Sequence, residues 1–237
     1  MMGGGGEISR PTLKGCDMLA KVFIGVGHGG SDPGAVSGSY VEKDINLVMA
    51  LACKQELERH GVTVGISRTR DEDDRLTEEI KECNAFGPDV AIEIHNNSGG
   101  GDGFEVYTQN TEKSKWLAAL VQDEIWGINQ NSRGIKYNAS LGWTRQVKCV
   151  TVLAEGFFVD TPKDRYDTEG QRKFGIAYAH ALLRYLNIKI KEDNMTKAEA
   201  KEIIKEKAGL VDATITYLDS YRYGDDLIMK LAEAMNK

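Results

Sequence analysis

The sequence predicts an α/β fold, in which a single, mostly parallel twisted sheet carries helices on both faces and a small all-helical C-terminal module follows. Short apolar, β-branched segments alternate with helical patterns over residues 20–190, which is typical of a parallel sheet covered on both sides. A charged connector at 189–194 then leads into three short helical patterns. The chain is 41% hydrophobic and 28% charged over 237 residues, an ordinary globular composition that suffices for one well-buried domain with a small addition.

The predicted strands are short apolar runs that end in glycine, polar or charged residues. They cover residues 21–26, 62–68, 89–95, 103–108 and 150–154. The predicted helices show apolar residues at three- and four-residue spacing, and they cover residues 42–60, 76–86, 113–126 and 169–186. Gly61 supplies the C-terminal stop of the first helix. The sheet and its helices therefore fill one domain, which we expect at residues 20–190.

The ends of the chain differ in character from this domain. Residues 1–19 are rich in glycine and are expected to form a disordered leader. Residues 191–237 are expected to form a three-helix module, in which Thr196 and Glu199 match a capping box. Its predicted core consists of Ile203, Ile204, Leu210, Ile215, Leu218, Leu227, Ile228 and Leu231. Such a core is marginal, so a role in wall binding or self-association is expected for the module.

Charge and composition exclude several classes of partner. The net charge of -6 and a pI of about 5.4 give no electrostatic reason to bind nucleic acid or an anionic membrane. No run of 18 apolar residues predicts a transmembrane segment, and the first residues lack the apolar core of a signal peptide. The four cysteines are scattered without a C-x-x-C pair, so buried free thiols are expected rather than a structural zinc site.

Four chemically versatile residues lie where predicted strands end or helices begin. His28 follows the first strand in a glycine-rich turn, Glu42 opens the first helix, His95 ends the third strand and Glu155 ends the last. Open α/β sheets place their sites at such carboxyl ends. Two imidazoles and one carboxylate can hold one zinc ion with a position left open, and a further carboxylate can transfer protons. The alternatives for Glu42 are a role at the helix N-terminus, or replacement as ligand by Asp44.

Five motifs in this order resemble the zinc N-acetylmuramoyl-L-alanine amidases of the bacterial cell wall, over residues 21–188 approximately. The motifs are residues 27–35 (GHGGSDPGA) with 42–44 (EKD), 94–97 (IHNN), 103–107 (GFEVY), 133–136 (RGIK) and 153–157 (LAEGF). The resemblance implies that His28, Glu42 and His95 bind zinc and that Glu155 is catalytic. It also implies hydrolysis of the amide between N-acetylmuramic acid and L-alanine in peptidoglycan. Glu93 departs from the small residue that the family often has at that place.

Four further residues are candidates for contact with the substrate or support of the ligands. Glu93 and Asn96 flank the His95 position, and Glu93 is expected to orient the histidine or touch substrate unless it lies on an exposed strand face. Arg133 is expected to pair with Glu155, to bind a substrate carboxylate or to lie in solvent. Trp143, in a predicted irregular loop, is the best candidate among the tryptophans for stacking on a sugar.

The function expected from these observations is that of a lytic amidase acting on peptidoglycan. A chain synthesised in the cytoplasm without a signal peptide, yet acting on the wall, fits a phage or prophage endolysin that a separate protein releases. One alternative is a zinc peptidase that cuts within the stem peptide. The other is a non-catalytic wall-binding protein.

Overall fold

The computed structural model describes residues 19–164, 166–191, 197–221 and 224–235. The chain divides into two compact units, of which one extends to Ile190 and the other begins at Lys191. The predicted leader before residue 19, Cys16 and the capping residue Thr196 lie outside the described residues. The other three cysteines are free thiols: Cys53 and Cys83 are buried and Cys149 is partly buried.

A six-stranded sheet forms the centre of the first unit. Its strands are β1 (Lys21–Val26), β4 (Thr63–Ile66), β5 (Val90–Asn97), β6 (Phe104–Thr108), β7 (Ser132–Tyr137) and β8 (Val150–Phe158), in the order β4-β1-β5-β8-β6-β7. A small antiparallel hairpin, β2 (Val36–Ser37) and β3 (Tyr40–Val41), precedes the first helix. Within the large sheet, the β6–β8 pairing is antiparallel and the other four pairings are parallel. The predicted mostly parallel α/β fold is confirmed.

Helices cover the two faces of the sheet unequally. These helices are α1 (Glu42–Arg59), α2 (Leu76–Phe86), α3 (Glu112–Trp126), α4 (Gly142–Gln146) and α5 (Thr168–Tyr185), with a 3₁₀ turn at Pro162–Asp164. The long helices α1, α3 and α5 pack together over the larger apolar core. The shorter helices α2 and α4 lie over a smaller apolar cluster on the opposite face.

The side chains of β5 alternate between the two faces of the sheet, so the face with fewer helices carries the residues of the candidate site. Val90, Ile92 and Ile94 contribute to the larger core, whereas Ala91 belongs to the smaller cluster. Because side chains alternate between faces with a period of two, Glu93 and His95 follow Ala91 on the thinly covered face. Strand β8 repeats the pattern, with Leu153 in the smaller cluster. The same face therefore changes from apolar to acidic and basic toward the carboxyl ends of the strands.

Trp143 corrects one sequence prediction. It lies in α4 rather than in an irregular loop, and it is only 1% exposed. Its ring packs near Phe23, with 6.4 Å between centroids, and its Nε1 donates a 2.6 Å hydrogen bond to Thr151 Oγ1. The prediction that this indole stacks on a sugar is wrong, because the smaller core encloses it.

Within its described residues, the second unit contains three short helices, α6 (Lys197–Ala208), α7 (Asp212–Asp219) and α8 (Gly224–Met235). Its buried residues are Ala200, Ile204, Ile215, Ile228 and Ala232. Leu227 was predicted in this core, but it is 38% exposed, so that prediction is wrong. Throughout the described residues, the longest and most apolar helices fall short of what a membrane crossing requires.

Candidate metal centre

The chain brings His28, Glu42 and His95 together at the carboxyl ends of β1 and β5. One ligand atom of each residue lies within 4.8 Å of the others. Glu42 Oε2 is 3.2 Å from His28 Nε2, and Glu42 Oε1 is 3.0 Å from His95 Nδ1. The two imidazole rings meet edge to face, with 4.9 Å between centroids. Asp44, the alternative to Glu42, is exposed and is not a member of this group.

The turn after β1 fixes the orientation of His28. Its backbone has a φ of 64°, a left-handed conformation that is uncommon for residues other than glycine and is often found at functional sites. Backbone hydrogen bonds of 3.0 and 2.9 Å join Gly29 and Asp32 in both directions. Asp32 Oδ2 lies 2.9 Å from His28 Nδ1, so the other ring nitrogen, Nε2, is the one that faces Glu42. A carboxylate on the outer nitrogen is the usual support of a metal-binding histidine.

Two glycines make room for the three side chains. A Cβ atom at Gly27 would lie 2.2 Å from the ring of His95, far inside van der Waals contact. A Cβ atom at Gly34, whose φ is 63°, would lie 2.6 Å from both Glu42 Oε2 and the ring of His28. The glycine-rich motif therefore serves close packing of the two imidazoles and the carboxylate.

Backbone and amide donors hold the carboxylate of Glu42. The amide of Ala35 donates to Oε2 at 2.8 Å, and the amide of Asn96 donates to Oε1 at 3.1 Å. Asn46, one turn further along α1, donates to Oε1 at 3.5 Å and to the carbonyl of Gly27 at 2.9 Å. Asn96 Nδ2 in turn donates to Asn46 Oδ1 at 2.7 Å. Asn96, predicted near the site, thus supports Glu42 and Asn46.

Sequence reasoning missed the supporting roles of Asn46, Asp32 and Arg68. Arg68 is 2% exposed, and its guanidinium donates 2.7 Å hydrogen bonds to the carbonyl oxygens of His28 and Lys43. Spacing offers a signal for the first two, because each follows a candidate ligand by four residues. Arg68 gives no such local signal, since its partners lie on other elements.

The electrostatics of His28, Glu42 and His95 favour a cation between them. The hydrogen bond to Glu42 raises the pKa of His28, although burial opposes it. Burial would lower the pKa of His95, but Glu42 and Glu93 raise it well above its ordinary value. Burial would raise the pKa of Glu42, yet the two histidines hold it well below its ordinary value. The group thus stabilises positive charge at its centre, and its two nitrogens and one oxygen are donors that Zn²⁺ prefers.

Glu93 lies directly behind His95. It is 3% exposed, which excludes the alternative that it sits on an exposed strand face. Its Oε1 is 3.4 Å from His95 Nε2, the ring nitrogen that does not face Glu42. Each candidate histidine ligand therefore has a carboxylate on its outer nitrogen, Asp32 for His28 and Glu93 for His95.

Glu155 occupies the neighbouring strand beside His95. The two residues are partners in the parallel β5–β8 register, so their side chains share one face. Glu155 Oε2 is buried without a hydrogen-bond partner among the described residues. Burial, reinforced by Glu42 and Glu105 and opposed by His95, raises the pKa of Glu155 to about 7. A carboxyl group with this pKa can accept and return a proton near neutral pH.

Arg133 does not pair with Glu155. Its Nε donates a 2.7 Å hydrogen bond to Glu105 Oε2 instead, so the predicted Arg133–Glu155 pairing is wrong. Glu105 is 3% exposed and also contacts Lys136. Glu155 therefore has no cationic side chain of β7 as a partner, because Arg133 and Lys136 both contact Glu105 instead.

Comparison with known proteins gives consistent results. Residues 22–184 match the N-acetylmuramoyl-L-alanine amidase family. The sporulation-specific N-acetylmuramoyl-L-alanine amidase of Bacillus subtilis strain 168 is 35% identical, covering 62% of this chain and 59% of that protein. The endolysin of Bacillus phage SPP1 is 29% identical, covering 79% of this chain and 76% of the endolysin. The solved catalytic domain of CwlV, an N-acetylmuramoyl-L-alanine amidase from Bacillus (Paenibacillus) polymyxa var. colistinus, is 28% identical with a TM-score of 0.68, covering 72% of this chain and 100% of that domain.

Proposed function

Since this chain belongs to the N-acetylmuramoyl-L-alanine amidase family, a family of amide hydrolases, we propose that it hydrolyses the bond between N-acetylmuramic acid and L-alanine in peptidoglycan. His28, Glu42 and His95 hold one zinc ion in this proposal. The observation that carries it is the convergence of two imidazoles on one buried carboxylate, beside the unpaired acid Glu155. Family membership supports the amide specificity, and the donor set supports the metal.

The residues around the centre have separate tasks in this proposal. A bound zinc ion supplies Lewis acidity, which polarises the scissile carbonyl and makes water more acidic. Asp32 and Glu93 hold the outer nitrogens of the two histidines, so that each ring presents its other nitrogen to the ion. Glu42 contributes the negative charge of the ligand set, and Asn96 and Ala35 keep its two oxygens in place.

Glu155 moves the proton. The oxygen of a water molecule attacks the carbonyl carbon of the lactyl group, and Glu155 accepts the proton that this oxygen releases. When the carbon–nitrogen bond breaks, Glu155 returns the proton to the nitrogen of L-alanine. The products are a carboxylic acid on the muramic acid, which gives up its proton near neutral pH, and a free amino group on the peptide. The buried, unpaired Oε2 and the pKa of about 7 support this assignment.

A lytic role on the cell wall is proposed on the basis of the relatives. Most of the chain aligns with a protein named as an endolysin, from a Bacillus phage. We propose that the unit from Lys191 onward, a separate compact body of three helices, attaches the enzyme to the wall or to a second copy. The zinc domain up to Ile190 would then carry the hydrolytic chemistry.

Digestion of purified peptidoglycan tests the proposed activity. Zinc-loaded protein and a Glu155→Gln control are incubated with the polymer, and the released fragments are weighed by mass spectrometry. Free stem peptides that begin with L-alanine, absent from the control, are expected. Cuts within the stem peptide would instead show a zinc peptidase, and binding without any release would show a non-catalytic wall-binding protein.

A further inference from the structure

A row of charged residues crosses the sheet away from the candidate metal centre. His95 on β5 pairs with Glu155 on β8, and Glu155 pairs with Glu105 on β6. Residues directly opposite each other on neighbouring strands project from the same face of a sheet. The three side chains therefore lie side by side on the thinly covered face, and β7 is the next strand in the row.

Glu105 is a buried anion that holds two cations of β7. Arg133 Nε donates to it at 2.7 Å, and the ammonium of Lys136 contacts the same carboxylate oxygen. Tyr107 and Asn97 donate to its other oxygen at 2.7 and 3.1 Å. Two cations thus share one carboxylate, and their side chains are 40% and 35% exposed. Arg133 and Lys136 carry two positive charges against the one negative charge of Glu105, so one positive charge is in excess at this end of the row, where solvent can reach it.

A β-bulge places both cations at Glu105. Residues separated by three positions in a regular strand point to opposite faces. The β6–β7 register shifts between the pair Phe104–Ser132 and the pair Val106–Ile135, so β7 carries one extra residue there. Gly134, with a φ of 89°, lies within this bulge. Bulges re-aim side chains beside active sites, and this one brings Arg133 and Lys136 to the same carboxylate.

The guanidinium of Arg133 is held at one nitrogen and available at the others. It lies 5.0 Å from the centre of the Phe158 ring, and only its Nε has a hydrogen-bond acceptor within the described part of the chain. Its terminal nitrogens form a planar fork that matches both oxygens of a carboxylate. An arginine anchored in this way is pre-organised for an anion that arrives from solvent.

We propose that Arg133, with Lys136 beside it, binds a carboxylate of the substrate's peptide, a role that rests on the proposed amidase function. Neighbouring strands lie about 4.8 Å apart, so β7 is roughly 10 Å from β8 across the sheet. An extended peptide advances about 3.3–3.6 Å per residue. The ligand is therefore an acidic residue at the second or third position of the stem, counted from the L-alanine at the scissile amide.

The test uses two matched muramyl peptides. In one, the second stem residue carries a free carboxylate, and in the other the same group is a carboxamide. The values of kcat and KM are measured for wild type, Arg133→Gln, Arg133→Lys and Lys136→Gln, with Arg145→Gln as control because Arg145 is an exposed arginine of α4 outside the row. A second pair with the charge at the third residue is measured in the same way.

The wild type is expected to prefer the acidic peptide through a lower KM. Arg133→Gln should raise KM for that peptide about tenfold and leave the amidated peptide within twofold, because a charge-assisted bidentate contact is lost only where the carboxylate exists. Arg133→Lys should restore part of the preference, and Arg145→Gln should change neither peptide. An equal loss on acidic and amidated peptides in Arg133→Gln would overturn the proposal and leave Arg133 as a structural partner of Glu105.

Binding measured without turnover separates this proposal from the proposed function. Calorimetric titration of both peptides into Glu155→Gln protein, with and without Arg133→Gln, reports the carboxylate preference directly. One outcome is that the acidic peptide binds more tightly, that this preference is lost in Arg133→Gln, and that protein with Glu155 intact cleaves neither peptide. This outcome would support the binding site and contradict the amidase assignment. Cleavage by wild type with no difference in affinity between the peptides would contradict the binding site alone.

Discussion

The side chain of Asn46 donates a 2.9 Å hydrogen bond to the carbonyl oxygen of Gly27, the residue that precedes His28. The same side chain accepts a 2.7 Å hydrogen bond from Asn96, the residue that follows His95, and it lies one helical turn after Glu42. One fully buried amide therefore joins the three segments that present the candidate ligands. Its contacts are to Gly27 and Asn96, which adjoin His28 and His95 in the chain, and to Glu42 itself on α1.

Replacing Asn46 with alanine is expected to weaken zinc binding by about 10–100-fold, as loss of ligand-supporting partners does elsewhere. Stability should also fall, by about 1–3 kcal/mol, because the carbonyl of Gly27 and the amide of Asn96 lose buried partners. Competition with a chelating dye measures the affinity, and urea unfolding measures the stability. Asn46→Asp should not rescue binding, since it removes the donor and sets a second carboxylate beside Glu42. Unchanged zinc affinity in Asn46→Ala would assign the residue to folding alone.

Glu155→Gln is expected to retain zinc and to lose activity by about 10²–10⁴-fold, because the amide cannot exchange a proton. In the wild type, kcat/KM should rise with pH while Glu155 deprotonates and then level off. The pKa of Glu155 is raised to about 7, and the positive charge of a bound zinc ion would lower it, so the midpoint is expected below 7. Zinc content by atomic absorption and pH profiles of both proteins check this. The same rising limb in the residual activity of Glu155→Gln would exclude Glu155 as its cause.

The buried carboxyl group of Glu79 is expected to lower the stability of the fold as pH rises. It is 3% exposed and accepts a 2.8 Å hydrogen bond from the amide of Val26. Burial, together with Glu93 and Asp74, raises its pKa well above the ordinary value of 4.5. Between 4.5 and the raised value the unfolded chain binds fewer protons than the folded one, so the free energy of unfolding falls as pH rises.

Glu79→Gln should therefore be more stable than wild type at pH 8 and should lose part of the decline between pH 5 and pH 8. Glutamine keeps an acceptor for Val26 and carries no charge to desolvate. Each unit of pKa difference corresponds to about 1.4 kcal/mol. Urea unfolding of metal-free protein at the two pH values measures this, with the exposed neighbour Glu78→Gln as the matched control. A parallel decline in Glu79→Gln and wild type would assign the pH dependence to other groups.

Trp143→Ala is expected to destabilise the protein by about 3–5 kcal/mol, because it leaves a cavity beside Phe23. Trp143→Phe should cost less, chiefly through the lost hydrogen bond to Thr151. Trp126→Ala, at a tryptophan 49% exposed, should change stability by about 0.5 kcal/mol or less. Thermal unfolding ranks the three variants. A Trp143→Phe protein with wild-type stability and a raised KM would indicate that Trp143 contacts the substrate after all.

Removal of the unit from Lys191 onward should leave hydrolysis of soluble muramyl peptides within about twofold, because the candidate site lies wholly in the first unit. Binding to intact walls, measured by sedimentation, or self-association, measured by light scattering, should fall. If neither changes, the module has a role other than the two proposed.

The sequence was informative where function needs particular residue types at strand ends. Apolar runs located β1, β5 and β8, and the glycine-rich turn after β1 marked His28 as unlike a core histidine. The contacts of Arg68 and Glu105 are harder to predict, because each residue meets its partners through the packing of elements that are distant in sequence. The sequence analysis does not predict the strand β7, because its sequence, with Gly134 between the basic residues Arg133 and Lys136, lacks an apolar run. Trp143 was misplaced because a helix of five residues leaves little periodicity to read.

The order of the strands places the residues proposed for hydrolysis and those proposed for peptide binding on different strands. The residues proposed for hydrolysis lie on α1, on the interior strands β5 and β8 and in the turn after β1, whereas Arg133 and Lys136, the cations that contact Glu105, lie on β7 at the edge of the sheet. An edge strand has a neighbouring strand on one side only, so its other side is not constrained by strand pairing. Under the proposed role of Arg133 and Lys136, changes in β7 would alter which stem peptide is preferred without changing the residues proposed for hydrolysis. Exchange of this single strand between relatives would then be expected to transfer the peptide preference while the hydrolytic residues are retained.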